Sequence, residues 1–240
     1  WGPPGTGKTT TLGRFIREAA NAGKRILVLS PYNIAVDEAL VAACKAGGWE
    51  PEELVRFGRV SDKVRESGVT LEQLLERRAE VSGLLAECRA FCAAAERACG
   101  RDPGATPRTV LLCLERLGEL VIALPRSMSQ KQAAMNDAVR KYRALFRAPE
   151  EEILQRARVV GTTVALSYIS QKIQPGRFDY VLVDEASVIR VPETIVVALR
   201  CGGRLAFFGD PKQLPSIVKV TSATSAKWMR RLPRTLAAAA

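Results

Sequence analysis

Short aliphatic runs alternate with amphipathic segments near both ends of the chain. Apolar side chains three and four positions apart predict a helix from residue 9 to about 20, and a second from 34 to about 45. Residues 25–30 form a short β-branched and aliphatic run, which is typical of a buried parallel strand, and residues 54–57 are a second candidate strand. Helices that alternate with buried strands predict an α/β fold with a doubly wound parallel sheet.

The middle of the chain has a helical period from residue 61 to about 152, with no convincing strand. A capping box at residues 70–73 predicts the start of one long helix. Its apolar seam runs to Cys99 at alternating spacings of three and four, and Arg78 is the one polar break. We therefore expect a single helix up to Cys99, of the kind found in coiled-coil-like hairpins.

Two further helices complete this central region. The apolar seam repeats over residues 110–124, where Pro125 ends the helix, and apolar positions over 135–146 mark a third helix. The region is therefore expected to be a helical insertion, a coiled-coil-like hairpin plus a further helix, within the α/β domain. The predicted domains are residues 1–60 together with 154–240, and the insertion 61–153.

The alternating pattern resumes after the insertion. Residues 158–163 predict a strand that leads into a polar turn, and residues 178–185 predict a buried strand that ends in two acids. A helix is predicted over 191–199, with Pro192 in its first turn. The last predicted strand, 204–208, leads into the sequence Gly-Asp-Pro-Lys-Gln-Leu-Pro at 209–215.

The chain begins with Gly-Pro-Pro-Gly-Thr-Gly-Lys-Thr at residues 2–9, which fits the phosphate-binding pattern G-x-x-x-x-G-K-[ST] at every fixed position. Glycines let successive backbone N–H groups point inward and form a nest for phosphate oxygens. Lys8 supplies a positive charge for the outer phosphates, and the N-terminus of the following helix favours the same anion. The predicted nucleotide-binding residues are Gly2, Pro3, Pro4, Gly5, Thr6, Gly7, Lys8, Thr9 and Thr10.

Asp184 and Glu185 lie at the predicted carboxyl end of a buried strand, the place where ligands bind in open parallel sheets. Phosphoryl transfer to water needs a metal ion, a carboxylate that holds it and a group that orients the water. The Thr9 hydroxyl and the Asp184 carboxylate suit Mg²⁺. Glu185, one residue further, can reach a water beyond the γ-phosphate. With the phosphate loop, this acidic pair predicts a nucleoside triphosphatase.

An excess of basic residues gives the chain a formal net charge of +11 and an isoelectric point near 9.7. Such a balance favours a polyanionic partner. The excess is concentrated after Arg200, where Asp210 is the single acid, and a solvated basic tail explains it about equally well. The basic residues of this stretch are Arg204, Lys212, Lys219, Lys227, Arg230, Arg231 and Arg234.

Histidine, the commonest metal ligand and general base, is absent. The six cysteines lack the paired C-x₂-C spacing of zinc sites and are expected to be reduced thiols. No run approaches the length of about 18 apolar residues that spans a bilayer, so no membrane partner is expected. These features favour a reducing intracellular compartment, the cytoplasm or, in a eukaryote, the nucleus.

The phosphate loop at 2–9, Asp-Glu-Ala-Ser at 184–187 and the segment 209–215 together resemble motifs I, II and III of superfamily 1 helicases. The Asp-Glu-Ala-Ser form resembles the branch that contains the nonsense-mediated-decay and Sen-type helicases. Residues 30–37 resemble motif Ia of that branch, and residues 159–163 resemble its motif Ic. Two departures leave the subfamily open: Val188, where the branch often has Gln, and Ser216, where it often has Pro.

The resemblance implies a RecA-like P-loop domain with ATP and Mg²⁺ as cofactors. Lys8, Glu185 and Gln213 would be catalytic, with Glu185 as the base and Gln213 as the sensor of the γ-phosphate. Thr9 and Asp184 would hold the metal. Single-stranded RNA or DNA would be the partner, and hydroxyl, amide and backbone donors would hydrogen-bond its phosphates. The residues that would line its path are Ser30, Pro31, Asn33, Thr162 and Thr163. For Asn33 and Thr162, simple helix capping is the alternative.

The resemblance covers an N-terminal RecA-like motor domain, so we expect the chain to be a fragment whose first strand lies upstream of Trp1. The 204–208 strand would then have an exposed edge. The adenine-reading glutamine and the arginine finger of the family would lie outside these residues, the latter in a second RecA-like domain. Because an arginine finger contributes about 10³–10⁵ in rate, the isolated chain should hydrolyse ATP only slowly and unwind nothing.

Two alternatives to the helicase interpretation, and one further idea about the insertion, remain at this point. The chain could be a P-loop ATPase of a signalling or transport class, against which the 209–215 segment argues. It could be a nucleotide switch or binding module whose helical insertion docks a partner. The insertion could also hold an iron–sulfur cluster, although the spacing of its cysteines is unlike that of known clusters. The candidate ligands for such a cluster are Cys88, Cys92, Cys99 and Cys113.

Overall fold

The computed structural model describes residues 2–3, 5–104, 107, 110–123, 128–173, 177–210, 212–213 and 222. Contacts between Cα atoms divide the chain into two units, Trp1–Leu71 with Arg156–Ala240, and Glu72–Gln155. The sequence predicts the insertion at 61–153, whereas the structure begins the second unit at Glu72. The difference arises because Thr70 forms a parallel bridge with Arg56 of the sheet, which keeps the preceding residues in the first unit.

A parallel sheet of five described strands organises the first unit. Its spatial order is β2-β3-β1-β4-β5, and every pair of neighbours runs parallel. This arrangement confirms the predicted α/β fold with a RecA-like parallel sheet. The strands are β1 Ile26–Ser30, β2 Leu54–Arg56, β3 Val159–Thr163, β4 Phe178–Val183 and β5 Cys201–Phe207.

The helices of the first unit connect these strands. α1 and α2 bury Leu12, Ile16 and Leu40 against β1 and β4 in one apolar core. The two helices approach closely, since a Cβ added at Gly13 would lie 2.7 Å from the backbone carbon of Ala42. A short helix follows β3 where the sequence predicts a polar turn. The bounds are α1 Lys8–Asn21, α2 Asn33–Lys45, α3 Asp62–Glu66, α8 Val164–Ile169 and α9 Val191–Ala198.

β5 is the outermost strand of the described sheet, and its residues are exposed or half-buried. Among the described strands, β5 thus lies at an edge of the sheet, and Phe207 is half-buried there. At the end of the strand, the Gly2 N–H donates a hydrogen bond of 3.0 Å to the carbonyl of Gly209. The phosphate loop and the segment after β5 are therefore joined at the carboxyl edge of the sheet.

The second unit is helical, as predicted, but its first long helix is interrupted. The helices are α4 Leu71–Glu76, which starts at the boundary, α5 Ala79–Ala98, α6 Val110–Ala123 and α7 Ser129–Arg156. The prediction of one helix from 70 to Cys99 is wrong, because Arg78 has extended backbone angles (φ −80°, ψ 130°) and precedes α5 as its N-cap residue. The Arg78 guanidinium donates a hydrogen bond to the Glu152 carboxylate at 2.7 Å. The polar residue that interrupts the apolar seam therefore forms an ion pair with α7.

Apolar seams of α5, α6 and α7 pack on one another inside the second unit. Cys92, Leu117 and Met135 belong to this core, and the buried Glu96 pairs with Arg116 at 2.6 Å. α7 is longer than the predicted third helix and contains Pro149. The packing explains the seam of cysteines in the sequence.

The cysteines of the second unit are packing residues. Cys88, Cys92 and Cys113 are buried, and burial raises the pKa of Cys88 to about 12 and that of Cys92 to about 11, so the thiols stay protonated at neutral pH. Across the described part of the chain, no three His, Cys, Asp or Glu side chains group closely enough to hold a metal ion. The same part contains no helix that is both long and apolar enough to cross a membrane.

Several sequence-based predictions concern residues outside the described ones. They are the nucleotide-binding Pro4, the helix end at Pro125, the motif residues Pro211, Leu214 and Pro215, the departure at Ser216, and the basic residues Lys219, Lys227, Arg230, Arg231 and Arg234.

Candidate functional site

The phosphate loop has the backbone conformation that its glycines predict. Gly5 and Gly7 have positive φ angles of 78° and 81°, which other residues rarely adopt. Gly7 is the residue before α1, which starts at Lys8. A Cβ added at Gly5 or Gly7 would meet no atom within 4 Å, so the space above the loop is open. The loop is therefore shaped to admit phosphate oxygens at the N-terminus of α1.

Lys8 lies over its own loop. Its ammonium donates hydrogen bonds to the carbonyls of Gly2 at 2.6 Å and Pro3 at 2.9 Å. The Thr6 hydroxyl donates to the same Pro3 carbonyl at 2.8 Å. These bonds keep the positive charge at the mouth of the loop, from where a flexible side chain can turn to an anion.

The two acids after β4 occupy different environments. Asp184 is only 6% exposed, and its Oδ1 accepts a 2.9 Å hydrogen bond from the Glu185 N–H. Burial raises the pKa of Asp184 to about 6, helped by the charges of Glu185 and Glu38 and opposed by that hydrogen bond and by the Lys8 ammonium. Lys8 and Asp184 both line the cavity described below.

Glu185 has left-handed backbone angles (φ 54°, ψ 39°), one of two such non-glycine residues in the described chain. Strained backbone of this kind is concentrated at active sites, where surrounding structure holds it. The hydrogen bond from the Ala186 N–H to the Phe208 carbonyl, at 2.9 Å, fixes the residue that follows. The backbone thus turns sharply at Glu185, directly after β4.

Gln213 links the segment after β5 to the acidic motif. Its side-chain oxygen accepts a long hydrogen bond of 3.4 Å from the Ser187 hydroxyl. Gln213 is exposed, and its backbone N–H donates to the carbonyl of the buried Asp210. A group bound next to Gln213 can therefore affect both motifs.

A single cavity of about 390 Å³ brings the predicted catalytic and metal-binding residues together. Gly2, Pro3 and Thr6 shape the loop without lining this cavity. Ala35 and Glu38 line it and were not predicted, although their spacing of three places them on one face of α2. The lining residues are Gly5, Gly7, Lys8, Thr9, Thr10, Ala35, Glu38, Asp184, Glu185 and Gln213.

The residues present fit a nucleotide with a divalent cation. The open space above Gly5 and Gly7 is what phosphate oxygens need, and a Cβ at either residue would project into it. Thr9 and Asp184 offer a hydroxyl and a carboxylate, the oxygen ligands that Mg²⁺ prefers.

The residues predicted to contact nucleic acid lie at the carboxyl ends of β1 and β3, which are neighbours with Ser30 opposite Thr163. Ser30 and Thr162 are fully buried, and so have no surface for a nucleic acid to touch in this conformation. The Ser30 hydroxyl accepts a 3.3 Å hydrogen bond from the Tyr32 N–H. Pro31 is half-buried in the same turn. Ser30 therefore shapes the segment after β1 from within.

Asn33 and Thr163 are half-buried, and each is engaged by another residue of the chain. The Asn33 side-chain oxygen accepts a hydrogen bond from the Arg56 guanidinium at 3.0 Å. The Thr163 hydroxyl accepts one from the Leu166 N–H at 3.2 Å and caps α8. Helix capping, considered for Asn33 and Thr162, is thus found at Thr163 instead.

Arg56 is a buried cation that sequence reasoning missed. It is 1% exposed, and its Nε donates to Asp37 Oδ1 at 2.6 Å. It also donates to the carbonyls of Phe57 at 2.5 Å and Arg59 at 2.6 Å. A lone Arg in an apolar strand was the available signal, because a buried charge requires a partner. The partner, Asp37, lies 19 positions earlier.

Comparison with known proteins supplies the family context. The model of the AAA domain family matches residues 1–221. The chain is 26% identical over 226 residues to "Regulator of nonsense transcripts 1 homolog" from Arabidopsis thaliana, covering 94% of this chain and 15% of that protein. It is equally similar to "ATP-dependent helicase NAM7" from Saccharomyces cerevisiae, of which it covers 19%. A 59-residue stretch is 50% identical to "DNA-binding protein SMUBP-2" from Rattus norvegicus, covering 24% of this chain and 5% of that protein.

These similarities confirm the resemblance to superfamily 1 helicases of the nonsense-mediated-decay branch. The matches to the Arabidopsis and Saccharomyces proteins each extend over 94% of this chain. The chain spans at most a fifth of the length of the curated relatives that it matches. What those proteins do as a whole therefore involves residues beyond the part compared.

Proposed function

The chain belongs to the AAA domain family, and from this membership we propose that it is the ATP-hydrolysing motor domain of a helicase or translocase that acts on single-stranded nucleic acid. A relative that is similar over 94% of this chain is named an ATP-dependent helicase. Such a motor needs a second RecA-like domain, which would be a partner within the same parent chain.

The observation that carries the proposal is the shared cavity. The phosphate loop, the two acids after β4 and Gln213 come from three separate parts of the sequence and line one space of about 390 Å³. At the carboxyl edge of a parallel sheet, this is where the ligands of such folds bind. A structural role alone does not require a buried Asp184 and a strained Glu185 at the mouth of a glycine-rich loop.

Each residue has a role that follows from its chemistry. The Gly5 and Gly7 region and Lys8 would bind the phosphates of ATP, and Thr9 with Asp184 would hold Mg²⁺, which neutralises charge on the transferred phosphoryl group. Glu185 would accept a proton from the attacking water. Gln213 would sense the γ-phosphate. The presence of that phosphate would be transmitted to the Asp-Glu-Ala-Ser motif through Ser187, whose hydroxyl donates a hydrogen bond to the Gln213 side-chain oxygen.

The test combines nucleotide binding with single-turnover hydrolysis. Protein in excess over radiolabelled ATP and Mg²⁺ is followed for hours, with and without single-stranded RNA or DNA, and the binding of a fluorescent ATP analogue is measured separately. Glu185→Gln should slow hydrolysis by roughly 10²- to 10⁴-fold with binding kept within a few-fold. Lys8→Ala should weaken binding itself.

The matched control is Glu18→Gln, the same change at an exposed position of α1. It should leave both measurements unchanged. If Glu185→Gln hydrolyses ATP as fast as the wild type, the catalytic assignment is wrong. Tight nucleotide binding with no turnover, even in a longer form of the protein, would favour the nucleotide switch over the motor.

A further inference from the structure

Two tyrosine rings are exposed where neighbouring parallel strands end. Tyr32 follows β1 and is 55% exposed, and Tyr168 lies on α8 after β3 and is 43% exposed. Because Ser30 and Thr163 are register partners, the two segments leave the same edge of the sheet from adjacent strands. Each ring has an exposed isoleucine nearby in sequence, Ile34 at 66% and Ile169 at 70%.

The polar neighbours of Tyr32 hold its position. The Tyr32 N–H donates to the buried Ser30 hydroxyl at 3.3 Å, which tightens the turn after β1. On the other side, the Asn33 amide oxygen is bound by the Arg56 guanidinium at 3.0 Å. The side chains on both sides are thus used within the protein, and the ring between them faces outward.

The segment after β3 is built in the same way. Thr162 is buried, and the Thr163 hydroxyl caps α8 through the Leu166 N–H. The Ser167 hydroxyl donates to the Val164 carbonyl at 2.7 Å within the helix. The exposed ring on this helix is Tyr168. In both segments, then, hydroxyl and amide groups act inside the fold while a tyrosine is presented to the outside.

Basic groups lie at the same edge of the sheet, on the β2 side of the two rings. β2 is the next strand beyond β3, and the loop after it carries the exposed Arg59, whose carbonyl is fixed by Arg56 at 2.6 Å. Phe57 directly follows β2, and the Lys172 ammonium lies 5.8 Å from the centre of its ring. Exposed aromatic rings next to cations are typical of a single-strand track, in which bases stack on the rings and phosphates pair with the cations.

We propose that bases of single-stranded nucleic acid stack on Tyr32 and Tyr168 while its phosphates pass Arg59 and Lys172. The proposal rests on the proposed function and assigns the direct contacts to residues other than the polar ones expected from the motifs. Every base has a flat face, so such contacts tolerate any sequence, which suits a protein that moves along a strand. In a duplex, both faces of each internal base are covered by the neighbouring base pairs, so no face is left for a tyrosine ring. The nucleic acid bound here is therefore a single strand.

The experiment compares a normal strand with one that lacks bases. Binding of a fluorescein-labelled thymidine oligonucleotide, and of an abasic oligonucleotide of the same length, is measured by anisotropy at one salt concentration. A uridine oligonucleotide is the RNA counterpart. Tyr32→Ala and Tyr168→Ala should each weaken binding of the thymidine and uridine strands by roughly 5- to 150-fold. Neither should change the affinity for the abasic strand by more than about twofold.

Two controls separate stacking from a general loss of structure. Tyr32→Phe keeps the ring and should bind within about twofold of the wild type. Ile195→Ala removes an apolar side chain of α9 that is 57% exposed, and should have no effect. Binding of a fluorescent ATP analogue by both alanine variants should match the wild type.

The possible failures are distinguishable. If the wild type binds the thymidine strand and both alanine variants bind it equally well, the stacking proposal is overturned and the proposed function stands. An equal loss on the normal and abasic strands also overturns stacking, because the affected contact would then be to the backbone. If the wild type binds no single strand at all, the proposed function fails and this proposal with it.

Discussion

Replacing Arg56 by Met should destabilise the first unit more than any exposed charge substitution. The guanidinium is 1% exposed and makes four described hydrogen bonds, to Asp37, Asn33, Phe57 and Arg59. Without it, the Asp37 carboxylate, 2% exposed, would keep the Ser61 N–H at 2.7 Å as its remaining described partner. A buried anion would thus be left without a countercharge.

The expected magnitude follows from that unpaired charge. Removing one partner of a buried ion pair costs about 3–5 kcal/mol, a large part of the roughly 5–15 kcal/mol that stabilises a typical domain. Burial lowers the pKa of Arg56 while Asp37 raises it, which shows the two opposing contributions in the intact pair. Removing both charges should be milder, because neither group is then left uncompensated. Arg56→Met with Asp37→Leu should therefore recover at least about 1 kcal/mol relative to the sum of the single changes.

Equilibrium urea unfolding, followed by far-ultraviolet circular dichroism, measures these free energies from the midpoint and a common slope. Arg147→Met is the matched control, since Arg147 pairs with Glu151 at 2.7 Å but is 61% exposed. The control should have no measurable effect on stability, because the charges of an exposed pair are screened by water and salt. The reasoning is refuted if Arg56→Met costs less than about 1 kcal/mol, or if the effects of Arg56→Met and Asp37→Leu simply add.

Three further changes test other parts of the structure. Gly13→Ala should destabilise by roughly 1–3 kcal/mol, because its Cβ would lie 2.7 Å from the Ala42 backbone, whereas Gly83→Ala in α5, with no atom within 4 Å, should be neutral or stabilising in the same urea assay; equal effects would contradict the close approach. The pKa of Asp184 rises from 3.8 to about 6 on folding, so the nucleotide-free protein binds an extra proton when folded and loses stability as pH rises from about 4 to 6. Asp184→Asn lacks this titration, so between pH 4 and 7 its free energy of unfolding should rise by roughly 3 kcal/mol relative to that of the wild type. Parallel pH profiles of the two free energies would contradict this. Glu38→Gln removes a negative charge from the wall of the cavity and should tighten ATP binding roughly two- to fivefold at low salt, measured by titration of a fluorescent analogue; unchanged or weaker binding would place Glu38 outside the field of the phosphates.

The local features of the site could be predicted because they depend on neighbours in the chain. Gly5 and Gly7 have positive φ angles because the loop requires them, and the acids at 184 and 185 follow a buried strand that the aliphatic run already marks. The alternation of strands and helices likewise indicated a parallel sheet, and parallel strands bring their carboxyl ends to one edge. Convergence of the loop, the acids and Gln213 on one cavity follows from that topology.

The roles of polar residues near the strand ends could not be predicted in this way. Ser30 and Asn33 matched a motif, but which groups their side chains bind depends on the Tyr32 backbone turn and on Arg56, which lies 23 positions beyond Asn33. The same holds for the break at Arg78, whose partner Glu152 is 74 positions away. Chain-local patterns therefore determined the fold class, the phosphate loop and the acidic pair. Only the tertiary structure decided which polar side chains are used internally and which rings are presented, because burial and hydrogen-bond partners are set by residues that are distant in sequence.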